Sequence, residues 1–237
     1  DLYIDGGKLV ATGQAPTGFV SDKRLDAQGL IAAPGLVDLS VALREPGYSR
    51  KGSIATETLA AAAGGVTSLC CPPFTKPVLD TSAVAELILD RAREAGHAKV
   101  FPIGALSKGL EGEQLAELIA LRDAGCVAFG NGLDNFRSSR TLRRALEYAA
   151  TFDLQVIFHS QDADLAEGGL AHEGAVASFL GLPGIPETAE TVALARDLLL
   201  VEQTGVRAHF SQLTSARGAK LIEQAQARGL PVTADVA

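Results

Sequence analysis

The sequence has 237 residues, enough for one large domain or two small ones, and its 47% hydrophobic and 21% charged residues are ordinary for a globular protein. The net charge of -7 and the scattered basic residues argue against a nucleic-acid partner, no apolar run is long enough to span a membrane, and no secretory signal is visible. Three cysteines without a CxxC pattern favour reduced thiols and a cytoplasmic location.

The first 33 residues are predicted to form a small sheet. The stretch "DLYIDGGKLVATG" alternates apolar and polar residues on both sides of Gly-Gly, which is typical of a β-hairpin. No helical pattern in this part is long enough to cover a sheet. We therefore expect residues 1–33 to form a unit distinct from the main domain, which we place at residues 34–237.

Strand-like apolar runs alternate with helical patterns from Pro34 onwards, which predicts parallel βα units. Seven runs are predicted as strands: 35–43, 66–73, 99–106, 126–131, 155–161, 207–214 and 231–237. A closed (β/α)8 barrel needs one more strand, so we expect an eighth unit beyond residue 237. The alternative, a doubly wound Rossmann-like sheet, is disfavoured because no GxGxxG joins a strand to a helix.

The sequence contains no Met and begins at Asp1. A chain of this length normally carries several Met residues. We therefore expect a fragment of a longer protein, or a sequence from which modified Met is missing.

Candidate functional residues lie where the predicted strands end, because barrel active sites lie at the carboxyl ends of the strands. These ends carry Ser40, Ala42 and Arg44; Phe74 within "CCPPFTKP"; Asn131; His159; His209 and Gln212; and Asp235. Ser40 and Ala42 are at alternate positions, so they lie on one face of the first strand. Neither side chain can bind a metal well or move a proton at neutral pH.

Several long stretches resemble dihydroorotases of the amidohydrolase superfamily. They are "APGLVDLSVALREPG", "AAAAGGVTSLCCPPFTKPVLD", "IGALSKGLEGEQLAELIALRDAGCVAFGNG", "HSQDADLAEGGLAHEG" and "LGLPGIPETAETVALARDLLL". The resemblance implies an α/β fold with a metal-dependent TIM barrel, flanked by a small β-sandwich built from both chain ends. It also implies an activity, the reversible ring closure of carbamoyl aspartate to dihydroorotate in pyrimidine synthesis.

The resemblance also implies where zinc ligands would stand. The first strand of active members ends in His-x-His, at the positions of Ser40 and Ala42 here. The bridging carboxylate falls at Asn131, the fifth-strand histidine is kept as His159, and the sixth-strand histidine falls at Gln212. One imidazole, one hydroxyl and two amides do not hold zinc at cellular concentrations. We therefore predict that the protein has no zinc cofactor and no dihydroorotase activity.

Part of the substrate pocket of the family is kept. Arg44 matches the arginine that grips the substrate carboxylate, whereas Phe74 stands where the family has an asparagine. We expect weak residual ligand binding at most, and a simple turn at Arg44 is as good an interpretation. A lone histidine such as His159 is more often structural than metal-binding, and we interpret His209 as a hydrogen-bonded core or rim residue.

Two functions of different classes follow. The chain resembles inactive dihydroorotase-like chains of some bacteria, which associate with the catalytic chain of aspartate transcarbamoylase and are needed for its assembly. The implied role is that of a structural subunit, and the sequence leaves a homo-oligomer open. The alternative is a metal-poor cyclic amidohydrolase with altered or weak activity, in which His159 and an aspartate beyond residue 237 would hold one ion loosely.

Overall fold

The computed structural model describes residues 1–133 and 136–237 and divides the chain into two compact units, Asp1–Pro34 and Gly35–Ala237. This division lies one residue from the boundary that the sequence suggests. In the first unit, strands β1 (Leu2–Asp5) and β2 (Lys8–Thr12) pair antiparallel. Gly6 and Gly7 form the connecting turn with positive φ angles of 53° and 74°, the conformation that a tight hairpin needs. The predicted hairpin is confirmed, and a complete sandwich stays a prediction.

The second unit alternates strands and helices. Its strands are β3 (Leu36–Asp38), β4 (Val66–Cys71), β5 (Lys99–Ala105), β6 (Ala128–Gly130), β7 (Val156–Phe158), β8 (Ala171–His172), β9 (Gly184–Ile185), β10 (Ala208–Leu213) and β11 (Val232–Val236). Its helices are α1 (Ile54–Ala63), α2 (Ser82–Ala95), α3 (Leu118–Asp123), α4 (Ser139–Thr151), α5 (Ala163–Ala166), α6 (Ala175–Phe179), α7 (Glu187–Thr204) and α8 (Ala216–Ala227), with a short 3-10 helix at Lys108–Leu110.

Seven strands form one parallel sheet in the order β3-β4-β5-β6-β7-β10-β11. The order follows the chain without reversal, as in a barrel, whereas a doubly wound sheet reverses at a switch point. The fold is therefore α/β, with a curled parallel sheet of the TIM-barrel type. All seven predicted strands are present, but the first is regular only at Leu36–Asp38 and not over residues 35–43. Strands β8 and β9 pair with each other outside this sheet.

Helices cover the sheet with their apolar faces. In α4 the buried residues are Leu142, Ala145, Leu146 and Ala149, at the three- and four-residue spacing that the sequence shows. Side-chain caps fix several helix starts, as where Ser138 accepts a hydrogen bond from the backbone N–H of Thr141. Within the sheet, the rings of Phe158 and Phe210 stack with centroids 5.0 Å apart, which ties β7 to β10. Within the described ranges, no helix is long and apolar enough to cross a membrane.

Candidate functional site

The carboxyl end of β3 places Ser40 and Ala42 in an extended segment that continues the strand. The backbone N–H of Ser40 donates to Asp38 Oδ1 at 3.0 Å, and that of Val41 donates to the Cys70 carbonyl at 2.9 Å. Ser40 is exposed and Ala42 is half-buried, while Leu43 beside them is 1% exposed and anchors the segment in the core. The two small residues thus follow a well-fixed backbone, without side chains that could bind a metal.

The loop after this segment is held by backbone contacts. The carbonyl of Arg44 accepts a hydrogen bond from Tyr48 N at 2.7 Å, and the carbonyl of Pro46 accepts one from Lys76 N at 3.0 Å. Glu45 Oε2 accepts from Ile54 N at 2.9 Å and so caps the start of α1. Arg44 itself has a positive φ of 65°, is exposed, and has no partner for its guanidinium among the described residues. The backbone of the loop is therefore well fixed and the Arg44 side chain is exposed, an arrangement that suits a simple turn and a residual carboxylate contact equally.

The ring of Phe74 lies directly against the turn after β6. A Cβ atom added to Gly132 would overlap this ring, and Gly132 has a φ of 58°, which glycine adopts most easily. The aromatic ring therefore occupies the space beside the position at which the family would place its bridging carboxylate. Next to it, Thr75 is buried, and its Oγ1 has no hydrogen-bond partner within the described part of the chain.

Asn131 is buried and all its amide hydrogens are used. Its Oδ1 accepts from Ser107 N at 3.1 Å, while its Nδ2 donates to Ser107 Oγ at 2.7 Å and to the Leu110 carbonyl at 3.2 Å. The backbone donor and the carbonyl acceptor fix which atom is oxygen and which is nitrogen. The side chain thus joins the end of β6 to the loop after β5, and a carboxylate there could not make the two donated bonds.

His159 lies between two cavities at the ends of β6, β7 and β10. The narrower one is lined in part by Asn131, Gly132 and Arg196, and the wider one by Gln161, His172, Glu190 and Gln212. Burial lowers the pKa of His159, although a hydrogen bond with Gln161 and the carboxylates of Glu190 and Asp235 oppose this shift. A neutral imidazole is therefore expected at pH 7. Neither lining includes Ser40, Ala42 or Arg44.

Gln212 occupies an unusual backbone position. Its φ is 59°, and its backbone N–H donates to Asp235 Oδ1 on the neighbouring strand. Asp235 Oδ2 also pairs with His209 Nε2 at 3.0 Å, and His209 Nδ1 pairs with Thr233 Oγ1 at 2.8 Å. This agrees with the interpretation of His209 as a hydrogen-bonded rim residue. The carboxylate of Asp235 thereby fixes the end of β10.

Two carboxylates, the half-buried Glu190 and the buried Asp197, were missed in the sequence. Glu190 accepts hydrogen bonds from the backbone and hydroxyl groups of both Thr214 and Ser215. Burial alone would raise the pKa of Glu190, but the hydrogen bonds from Ser215 and Thr214 outweigh it and lower the pKa. Glu190 therefore connects α7 to the start of α8. A glutamate on a helix gives no sequence signal for this role.

Asp197 is fully buried on α7. Burial raises its pKa to about 6, although Arg196 and Ser160 oppose this shift. Its Oδ2 accepts from Ser160 Oγ at 3.0 Å, and its Oδ1 accepts from Arg196 Nε at 2.9 Å. The network fixes the residue that follows His159. In the sequence, only the adjacent Arg196 and Asp197 hint at this buried hydrogen-bond network.

The donors at the family's metal positions do not fit zinc. Zinc needs three or four nitrogen, sulfur or oxygen ligands, chiefly imidazole, thiolate or carboxylate. Ser40, Ala42, Asn131 and Gln212 supply none of these, and Asn131 is already fully bonded. Over residues 1–133 and 136–237, no group of three or more His, Cys, Asp and Glu side chains is arranged to hold a metal ion.

Comparisons with known proteins point to one family. A family model described as "Dihydro-orotase-like" matches residues 29–217. The chain is 78% identical over its whole length to the "Dihydroorotase-like protein" of Pseudomonas aeruginosa and covers 56% of that protein. It is 51% identical over 213 residues to the "Dihydroorotase" of Syntrophobacter fumaroxidans, which is 90% of this chain and 48% of that protein. The chain thus spans about half the length of the curated relatives it matches.

Solved structures with a similar fold include hydantoinases. The L-hydantoinase (dihydropyrimidinase) of Arthrobacter aurescens superposes with a TM-score of 0.81 and is 21% identical, covering 100% of this chain and 54% of that one. At this identity the likeness concerns the fold. It agrees with the curled parallel sheet of the second unit.

Proposed function

The chain belongs to the dihydroorotase-like family, and from this premise we propose that the protein is a catalytically inactive homologue that supports the assembly of aspartate transcarbamoylase in de novo pyrimidine synthesis. The observation that carries the proposal is the chemistry of the metal positions. Ser40, Ala42 and Gln212 replace the expected imidazoles, and Asn131 replaces the carboxylate.

The loss of catalysis follows from the loss of the metal. In a metal-dependent amidohydrolase the ion lowers the pKa of a bound water and polarises the amide carbonyl, so both effects disappear together. All four positions differ from the family pattern, and at one of them the new side chain has structural bonds: the Asn131 amide bonds Ser107 and Leu110. A compensating shift of one side chain does not rebuild such a site.

A structural role explains why the fold is well kept. The parallel sheet is regular, Ser53 and Ser138 cap their helices, and the buried side chains of Asn131 and Asp197 are hydrogen-bonded, although the metal-binding side chains are absent. The relatives that are 77% and 78% identical are also named dihydroorotase-like. A rigid body without its own chemistry suits a subunit that holds another enzyme in its active assembly. The proposed partner is the catalytic chain of aspartate transcarbamoylase, in the cytoplasm.

Two measurements on the full-length protein test this function. Metal analysis and a dihydroorotase assay should show no stoichiometric zinc and no turnover. Co-expression with the transcarbamoylase catalytic chain from the same organism should give one complex on size-exclusion chromatography, and transcarbamoylase activity should fall when the dihydroorotase-like chain is left out. Separate elution of the two chains, with full transcarbamoylase activity in the absence of the first, would refute the assembly role.

A second candidate is a cyclic amidohydrolase with weak or altered activity. The observation that favours it is the family itself, since relatives 46% and 51% identical are named dihydroorotase. The wider cavity beside His159 offers polar groups to a small ligand, including Gln161 and Gln212. Turnover of dihydroorotate or another cyclic amide by the purified full-length protein, lost on His159→Ala, would favour this candidate over the first.

A further inference from the structure

The segment that joins β7 to the start of α7 forms a small structure of its own, which we call the excursion (residues 161–187). It contains α5, β8, α6 and β9. Backbone hydrogen bonds hold it together, from Leu170 N to the Pro183 carbonyl at 2.9 Å and from Leu182 N to the Ala177 carbonyl at 2.9 Å. Ala177 is 5% exposed and anchors α6. The excursion is therefore an ordered surface.

This ordered surface carries large apolar side chains that point to solvent. Phe179 is 88% exposed and Val176 is 73% exposed, and together with Leu180 they follow the three- and four-residue spacing that places them on one side of α6. Leu182 is tied to this helix by its backbone bond to Ala177, and Leu170 is tied by its backbone to Pro183, the next residue in the chain. We call these residues the excursion patch: Leu170, Val176, Phe179, Leu180 and Leu182. Contiguous exposed apolar groups of this kind mark interaction sites.

The Asp, Glu, Lys and Arg side chains of the excursion itself are all acidic. Residues 161–187 contain five Asp and Glu and no Lys or Arg. Asp162 caps α5 by accepting from Leu165 N at 3.0 Å, but Asp164, Glu167, Glu173 and Glu187 are exposed and have no ion pair with any described residue. Two such patches brought together would set carboxylate against carboxylate, so contact of the patch with its own copy is disfavoured. A partner surface that carries Lys and Arg at its rim would complement these carboxylates.

We propose that the excursion patch is the docking surface for a partner protein whose contact surface is apolar at the centre and rich in Lys and Arg at the rim. In the assembly proposed above this partner is the transcarbamoylase catalytic chain, so the inference rests on the proposed function. The apolar centre supplies most of the affinity, and the carboxylates supply orientation and a fast association rate.

Charge-introducing variants of the full-length protein test the surface. Val176→Asp and Phe179→Asp should each weaken binding to the transcarbamoylase by about 30-fold or more, as expected for residues at the centre of an interface. Leu199→Asp is the matched control, because Leu199 is 65% exposed on α7 outside the patch, and it should bind as the wild type does. Replacing Glu167 and Glu173 by Lys should weaken binding less and reduce its dependence on salt.

The outcomes separate the two proposals. If the wild-type protein forms a stable complex and both patch variants bind as tightly as the wild type, the docking surface is refuted and the assembly role is not affected. Absence of any wild-type complex refutes the assembly role and the docking surface with it. Circular dichroism checks that the variants fold.

A labelling experiment identifies the occupant without a charged variant. A maleimide should label Phe179→Cys in the isolated full-length protein and fail to label it in the complex, with the wild type as the thiol background. Protection in the isolated monomer means that the rest of this chain covers the patch. Protection that grows with protein concentration means that a second copy covers it, and either result overturns the proposal.

Discussion

The carboxyl edge of the sheet has two sides that differ in packing and in hydrogen bonding around the family's metal positions. On the β4–β6 side, Phe74 packs on Gly132 and the amide of Asn131 bonds Ser107 and Leu110. On the β7–β10 side, His159 and Gln212 line an open cavity. The β4–β6 side is packed and bonded except for a narrow cavity beside Asn131 and Gly132, whereas the β7–β10 side has a wider cavity with a largely polar set of lining residues.

The two sides therefore need separate structural explanations. Asn131 and Phe74 are buried or half-buried, so they needed new partners, and the structure provides them. Gln212 is exposed and its side chain can bond water, while Asp235 fixes its backbone. Substitutions on the β4–β6 side should therefore cost stability, whereas those on the β7–β10 side should chiefly change how stability depends on pH.

The largest effect should come from Gly132→Ala. The new methyl group would overlap the ring of Phe74, and the residue would keep a φ of 58° that alanine adopts at a cost. We expect the free energy of unfolding to fall by about 3 kcal/mol, the sum of an overpacking and a backbone penalty. Urea denaturation of the full-length protein measures it.

Removing the ring separates these two penalties. Adding Phe74→Ala to Gly132→Ala should recover the overpacking part and leave the backbone part, so the two substitutions should be non-additive. Gly6→Ala is a matched control, since Gly6 has a similar φ of 53° and nothing within 4 Å of an added Cβ. If Gly132→Ala lowered the free energy of unfolding no more than Gly6→Ala does, the inferred packing of Phe74 against Gly132 would be wrong.

Asn131→Asp should have the next largest effect. The carboxylate keeps the bond from Ser107 N but sets an acceptor against the Leu110 carbonyl and places a charge in a 5% exposed position. We expect a loss of about 2 kcal/mol at neutral pH, typical of a buried polar group that loses its partner. The same variant should bind no zinc in a metal-analysis experiment, although it restores the family's carboxylate. Stoichiometric zinc in Asn131→Asp would show that the site is still intact.

The sequence allowed prediction of the strands, but not of the packing on the β4–β6 side. Strands and tight turns are specified largely by residues close together in the chain, so the apolar runs and the Gly-Gly pair predicted the seven strands and the hairpin. The contact of Phe74 with Gly132 joins two loops far apart in sequence, and Ser160 meets Asp197 across 37 residues. Local patterns do not encode such pairs. The first strand was also predicted too long, because the apolar run continues after Asp38 where regular pairing ends.

A smaller effect is expected on the β7–β10 side from Glu190→Gln. Its folded pKa lies below its ordinary value, so Glu190 stabilises the fold above its unfolded pKa, and this contribution is lost as pH falls through the folded pKa. Gln cannot accept all four hydrogen bonds that Thr214 and Ser215 donate, and we expect a loss of about 1 kcal/mol at pH 7. Below the folded pKa the difference from wild type should shrink, which thermal unfolding at several pH values can follow. An equal difference at every pH would assign the effect to packing.

The smallest effect concerns His159 itself. Burial lowers its folded pKa more than Gln161 and the nearby carboxylates raise it, so the unfolded chain binds a proton at a higher pH than the folded chain does. Stability should therefore fall as pH drops from the unfolded pKa toward the lower folded pKa, and His159→Gln should flatten this part of the profile. NMR titration of the imidazole in the folded and in the urea-unfolded protein measures the two pKa values directly. A folded pKa for His159 above its unfolded pKa would mean that the nearby carboxylates outweigh burial, and the ring would then be protonated more readily in the folded protein than in the unfolded chain.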